Sequence, residues 1–271
     1  REQFDNRIRG SGDVEDKLRM PLLGLLPLQK KVRDRTVLAR LFAEDNDRPF
    51  AEAVRTIRTS VILSALDKAP TIIVVTSSVP GEGKTTLASN LAAAMGQMEK
   101  VLLLEADMRK PAFRQIFGLE RGTAGLAEVV AEGTALSSAI QRMDGIDIMA
   151  CGTLPPNPLE LLSSQRFTDL LARLGQTYDR IVIDAPPVQA VSDPLVLATQ
   201  ASSVLYMVKS DATPAPVVRK GLSRLAEVNA PLAGVVLDHV DVRKSRKYGD
   251  SYGAAGSGYY DYYGYSGGSR G

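Results

Sequence analysis

The chain has 271 residues, enough for one large domain with appendages, and its 44% hydrophobic and 24% charged content is that of an ordinary globular protein. A formal charge of +2 over this length gives no strong pull toward nucleic acid or lipid. Cys151, the only cysteine, cannot close an internal disulfide and reads as a small buried hydrophobe, while a single histidine, His239, excludes His-paired zinc sites and reads as a strand-end residue.

In chain order, residues 1–19 are charged and weakly periodic, like a tether with a short helix from Val14 onward. "PLLGLLP" predicts a short extended segment between prolines. None of these apolar runs approaches the roughly 18 residues of a membrane helix, and "MPLLGLLPL", with two prolines and a glycine, is no secretory signal. Over 49–66 the pattern turns helical, with Val54, Ile57, Val61 and Ala65 on one arc and Glu52 and Arg55 on another. From Thr71 short apolar strands alternate with amphipathic helices. The predicted strands are "TIIVVTS", "VLLLEA", "IDIMA", "RIVIDA", "SVLYMV" and "AGVVLD", and helices are predicted over 85–96, 158–175 and 214–228. Continuously apolar strands fit a parallel sheet covered on both faces, so the fold class expected is α/β, doubly wound and mostly parallel.

The composition changes after about Asp241. Residues 243–271 hold no Leu, Ile, Val, Phe or Met, yet carry seven of the nine tyrosines: Tyr248, Tyr252, Tyr259, Tyr260, Tyr262, Tyr263 and Tyr265. Such a segment cannot bury enough apolar area to offset its ordering entropy, and disorder is expected. The division that results is a lead-in over 1–47, a folded domain over 48–242 and a tail over 243–271.

The sharpest chemical signal is "TIIVVTSSVPGEGKTTLASNLAAAMG": a buried strand, a glycine-containing loop, then Gly83-Lys84-Thr85 opening a helix. That is the context of a P-loop. Gly81 and Gly83 let the backbone approach phosphate, with Glu82 between them and Thr86 after them in the expected ATP-binding stretch. Lys84 would reach the β- and γ-phosphates and Thr85 would ligate Mg²⁺ at the helix N-terminus. The strict pattern wants glycine at position 78, where this chain has Ser78. Acidic strand ends follow: Glu105 and Asp107 in "VLLLEADMRKP", and Asp184 in "RIVIDAPP". Ligand crevices of open α/β sheets lie at such strand ends, so three carboxylates are expected to converge on the Mg²⁺.

Together, "SSVPGEGKTT", "LLLEADMRKP" and "IVIDAPP" resemble the Walker A, A′ and B segments of the bacterial tyrosine kinases (BY-kinases) of polysaccharide biosynthesis, over roughly residues 13–240. The resemblance implies a P-loop ATPase-like fold whose phosphoryl acceptor is tyrosine, chiefly in a C-terminal cluster. Lys84 and Thr85 would then bind phosphate and Mg²⁺, Asp184 would hold the metal or its water, and Asp107 would act beside it. Glu105 stands where the family usually has Asp, a position implied in metal binding or in accepting the tyrosine proton. Either Glu105 or Asp107 would take or orient that proton.

"EAVRTIR" resembles the family's ExxRxxR element, implying a homo-oligomeric ring built through Glu52, Arg55 and Arg58. On its own it reads as a solvated helix face with a weak i,i+3 pair. "LPPNPLELLSS" reads either as a family element near the nucleotide base or a subunit contact, or as a proline-rich loop capping a helix. "DVEDKLRMPLLGLLP" resembles the segment after the second membrane helix in members fused to a chain-length domain. That implies the cytoplasmic portion of an inner-membrane protein, with neighbouring tails as substrate and a phosphatase and polysaccharide machinery as partners. Two other readings compete. A partition or septum-site ATPase of the deviant-Walker type would carry a second lysine where this chain has Val79. A non-catalytic ring scaffold would bind nucleotide for structure alone.

Overall fold

The computed structural model describes residues 6–241 apart from 30, 31, 33, 45, 46 and 66–68. The tyrosine-rich segment, and with it every expected phosphoacceptor, lies outside the described residues. Among those described, eight strands form one sheet in the order β1-β8-β7-β2-β6-β3-β5-β4. Their spans are β1 Leu22–Pro27, β2 Ile72–Ser77, β3 Val101–Glu105, β4 Ile140–Met143, β5 Ile146–Met149, β6 Arg180–Asp184, β7 Ser203–Lys209 and β8 Leu232–Val240. Every pairing is parallel except the edge hairpin β4–β5. The chain winds outward from β2 through β3 to β5, returns through β6, and continues through β7 and β8 on the other side of β2. This is the doubly wound α/β fold that the alternation of elements predicts.

Period-2 geometry sends alternate residues of each strand to opposite faces, and each face has its own core. Ile73 and Val75 of β2, Leu103, Val182 and Leu205 belong to one. Val74, Leu102, Leu104, Ile181 and Ile183 belong to the other. The first core is closed by α2 (Arg35–Glu44), α3 (Arg48–Leu63), α4 (Lys84–Gly96) and α5 (Phe113–Ile116). The second is closed chiefly by α6 (Leu126–Glu132), α9 (Gln165–Gly175), α10 (Asp193–Gln200) and α11 (Ala215–Glu227). Between them in sequence lie the short α7 (Leu136–Ala139) and α8 (Pro158–Leu162); α1 (Ser11–Asp13) runs into a π-helical turn, Val14–Leu18.

Two features differ from the sequence expectations. The lead-in is part of the folded unit: β1 pairs in parallel with β8, and α2 is fastened to α4 by Asn90. That buried amide accepts the Phe42 N–H at 2.7 Å and donates to Leu38 O at 2.8 Å. A domain boundary at residue 48 would cut both attachments. The helix predicted over 158–175 is two helices, because the Ser164 side chain accepts the Phe167 N–H and starts a new one. The loop-capping reading of "LPPNPLELLSS" agrees with the structure: Asn157 caps α8 in the same way, through the Glu160 N–H.

Candidate active site

The P-loop follows β2, the strand from which the sheet is wound in both directions, so the loop opens at the centre of the strand ends. Gly81 and Gly83 both lie in the left-handed region, at φ of 83° and 89°, where a side chain is strained. At Gly83 there is also no room, since a Cβ would stand 2.2 Å from Asp238 Oδ2. Ser78 has no such requirement. Its φ is not positive, and its hydroxyl turns away from the loop to pair with the Tyr206 hydroxyl at 2.9 Å. Gly221 leaves the space that the Tyr206 hydroxyl occupies. Serine therefore meets the geometry where the strict pattern has glycine.

Lys84 opens α4 directly after Gly83. It is 8% exposed, yet its ammonium makes no hydrogen bond or ion pair among the described residues. A nearly buried cation at a helix N-terminus has a stake in an anion arriving there. Thr85, next along the helix, donates its hydroxyl to Asp184 Oδ2 at 2.6 Å. Thr86 is half-buried in the same first turn, its carbonyl accepting from Asn90.

Asp184 ends β6, 1% exposed, and its Oδ1 is buried without a hydrogen bond among the described residues. Burial pushes its carboxyl up to about 7; Lys84 and the Thr85 hydroxyl pull it down, and Asp107 and Glu105 push it further up. Glu105 ends β3 and pairs in register with Asp184. It is equally buried, but its oxygens are already engaged. Oε1 accepts the Ala112 and Phe113 N–H groups at 2.5 and 2.8 Å, and Oε2 accepts the Cys151 N–H at 3.0 Å. Burial raises its carboxyl too, partly offset by those amides.

Asp107 is held beside Asp184 by the backbone. The Ala106 and Asp107 N–H groups both donate to Asp184 O, at 2.9 and 3.1 Å. The Asp107 Oδ1 accepts the Arg109 and Lys110 N–H groups, leaving Oδ2 without a partner among the described residues. Arg109 then reaches across to Asp193 at the start of α10 in a two-pronged pair, 2.9 and 3.1 Å, with Asp193 fully buried. This Arg109–Asp193 bracket, which fixes the loop carrying Asp107, has no local sequence signal because its partners are 84 residues apart.

The expected convergence of three carboxylates is thus corrected. Among the described residues no group of three His, Cys, Asp or Glu side chains is placed to hold a metal, and Glu105 is occupied by backbone amides. What remains still fits Mg²⁺, which binds through one or two carboxylates plus substrate phosphates rather than an all-protein cage. A hydroxyl (Thr85), a bare buried oxygen (Asp184 Oδ1) and a nearby second aspartate are such a donor set.

The other sequence candidates lie elsewhere. Cys151 is buried, its thiol pushed up to about 12 by burial first and by Glu105 next, as an inert core residue would be. His239, with φ of 59°, is the penultimate residue of β8, with Nδ1 2.7 Å from Asp238 Oδ2. On α3, Arg55 pairs with Glu52 and lies 5.2 Å over the Phe42 ring, while Arg58 donates to Ala94 O near the C-terminus of α4 at 2.9 Å. All three have partners within the chain.

The AAA domain family profile matches residues 70–229. The tyrosine-protein kinase YwqD of Bacillus subtilis is 35% identical over 202 residues, covering 73% of this chain and 85% of that protein. The tyrosine-protein kinase etk of Escherichia coli K12 is 34% identical over 220 residues, 80% of this chain but 30% of that longer protein. The solved kinase domain of Escherichia coli ETK superposes with a TM-score of 0.75 at 28% identity, covering 83% of this chain and 92% of that one. The septum-site-determining protein MinD of Pyrococcus horikoshii, at TM-score 0.52 and 22% identity over 62% of this chain and 69% of its own, shares the core fold alone.

Proposed function

This chain belongs to the bacterial tyrosine-protein kinase family, and from that premise we propose that it transfers the γ-phosphoryl group of ATP to tyrosines of its own C-terminal segment, between subunits. The observation that carries the reading is the juxtaposition of a nearly buried Lys84 with Asp184, where among the described residues the Lys84 ammonium has no hydrogen bond or ion pair and Asp184 Oδ1 has no hydrogen bond.

Phosphoryl transfer asks a protein to align donor and acceptor and to balance charge on the transferred group. Backbone N–H groups of 81–85 at the α4 N-terminus and the Lys84 ammonium would take the β- and γ-phosphates. Thr85 and Asp184 would hold Mg²⁺ together with the phosphates, and the ion would supply neutralisation of the developing charge. Asp107 Oδ2, open and fixed by its own turn, would take or orient the phenol proton; Glu105, saturated by amides, would shape the Asp107 loop instead. Seven tyrosines in a segment with a side-chain charge of +3 supply acceptors. Each phosphate adds about −1.5 to −2, so two cancel or reverse that charge.

Assembly through Glu52, Arg55 and Arg58 would bring one subunit's tail to its neighbour's site. The chain spans about a third of the etk protein it matches; the parent would be a membrane-attached protein acting in polysaccharide export, a reading that rests on the resemblance of "DVEDKLRMPLLGLLP" to the segment after a membrane helix. Among the described residues no helix is long and apolar enough to cross a membrane. A deviant-Walker ATPase is disfavoured by Val79, and a mute scaffold by the intact lysine and aspartate.

The test mixes two chains. A Lys84→Met chain with its tail should gain phosphotyrosine, read by mass spectrometry, when incubated with Mg-ATP and an active chain lacking 243–271. No labelling at any concentration would reject transfer between subunits. Phosphotyrosine appearing on Lys84→Met alone would reject the site.

A further inference from the structure

The P-loop carries a group that phosphate binding does not call for: a carboxylate. Glu82 lies between the two left-handed glycines, in a position the P-loop pattern leaves open. Facing the phosphates, it would repel them. Instead it is turned inward and is 1% exposed. Its Oε2 accepts the Val79 N–H at 2.8 Å, closing the loop on itself. Its Oε1 accepts the Thr213 hydroxyl at 2.5 Å and the Lys209 N–H at 3.3 Å. A buried carboxylate is tolerated only when its oxygens are well supplied with donors, and these three supply them.

The segment between β7 and α11 that holds Glu82 is itself anchored. Asp211 N–H donates to Ile8 O at 2.8 Å, the Ser210 hydroxyl to Arg9 O at 3.0 Å, and Ala215 N–H to Asn6 O at 2.6 Å. Thr213, 4% exposed, is therefore presented from a fixed base.

We propose that Glu82 is a positioning residue: clasped by Thr213 and the Lys209 N–H, it holds the P-loop in its phosphate-receiving shape before nucleotide arrives. The clasp also keeps the negative charge of Glu82 out of the phosphate site. Preorganisation of this kind lowers the ordering cost of binding, so its loss appears in affinity. Nucleotide at saturation imposes the same loop shape, so turnover is spared.

The inference rests on the P-loop reading above, and the experiment separates the two. Mg-ATP affinity is measured by calorimetry, and initial phosphotyrosine rates across ATP concentration, for wild type, Thr213→Val, Thr213→Ser, Glu82→Gln and the Glu82→Gln/Thr213→Val pair. Melting of each without nucleotide certifies folding. Thr213→Val keeps the shape and removes the donor. Glu82→Gln sets an amide NH₂ against a backbone N–H, at either Val79 or Lys209. Each should weaken ATP binding about tenfold, the size of one charge-assisted hydrogen bond. Saturated turnover of Thr213→Val should stay within about twofold. Thr213→Ser should restore wild-type affinity, and the double variant should be little worse than either single one. Wild-type affinity in folded Thr213→Val, or multiplied losses in the double variant, overturns the clasp. Should Thr213→Val fail to fold, wild-type affinity in Glu82→Gln overturns it. A wild-type protein that binds no Mg-ATP overturns the phosphate site itself, and the clasp with it.

Discussion

The ends of β3 and β6 are neighbours in register, and each carries one acid, Glu105 or Asp184, at 1% exposure. They part company in how their oxygens are used. Among the described residues Glu105 is filled by three backbone N–H groups, while Asp184 has one hydroxyl partner and one bare oxygen. Burial alone therefore does not mark a chemical residue. The unspent hydrogen-bonding capacity does: Glu105 pins the start of α5 and the chain at Cys151 to the end of β3, while Asp184 keeps an oxygen for an incoming ion.

The largest effect should come from Lys84, the cation beside Asp184. Lys84→Met should lower phosphotyrosine formation by at least about 10³-fold, since it removes the charge that balances the transferring group. The fold should survive, and circular dichroism should be unchanged. Survival of activity would mean that the site lies elsewhere.

Asp184→Asn should follow, with a loss of about 10²–10³-fold. It should also reveal the tension in the site. The folded-state carboxyl, at about 7 against an ordinary 3.8, binds its proton more tightly than the unfolded chain does. Stability of the nucleotide-free protein should then fall as pH rises from about 4 through about 7, by an amount on the order of 2–4 kcal/mol at about 1.4 kcal/mol per unit. Asp184→Asn lacks that loss, so it should melt above wild type at pH 8 and close to it at pH 4. Equal melting at both values would show that Asp184 is not strained by its burial.

Glu105→Gln should invert the pattern. Its NH₂ must face at least one of the amides that Glu105 now accepts, which costs on the order of 2–3 kcal/mol of stability. Activity per folded molecule should stay within about tenfold, because the group touches no reacting atom.

The α3 charges should matter least to the fold. Changing Glu52, Arg55 and Arg58 together to Ala should cost under about 2 kcal/mol, since two are half-buried partners of a weak i,i+3 pair and one bonds a single carbonyl. Sedimentation should nonetheless shift toward monomer, and self-phosphorylation should slow with concentration-dependent recovery. A triple variant that sediments like wild type returns these residues to a purely intramolecular role.

The sequence made the site's outline legible because its main signals are local. A buried strand, two glycines, a lysine and a threonine are contiguous, and Asp184 closes a strand of its own. What it could not reveal was how each acid is used. Glu105 meets Cys151 from 46 positions away, and Glu82 meets Thr213 from 131. From the chain alone, a saturated carboxylate and a bare one look the same, which is why three acids seemed to converge on one metal. Similarly, the sequence sets 1–47 apart as a lead-in, with β1 expected only as a short extended segment and α2 carrying no signal of its own. Their place in the fold depends on Asn90 and on β8, far along the chain. The break before α9, by contrast, was readable in Ser164 itself.

The most direct measurement sets the two strand ends side by side: initial phosphotyrosine formation per folded molecule in Asp184→Asn and Glu105→Gln, at saturating Mg-ATP and a temperature where both are folded. Asp184→Asn should be almost silent, while Glu105→Gln keeps at least about a tenth of the wild-type rate. A Glu105→Gln protein that is folded yet as inactive as Asp184→Asn would contradict the account, placing Glu105 among the reacting atoms.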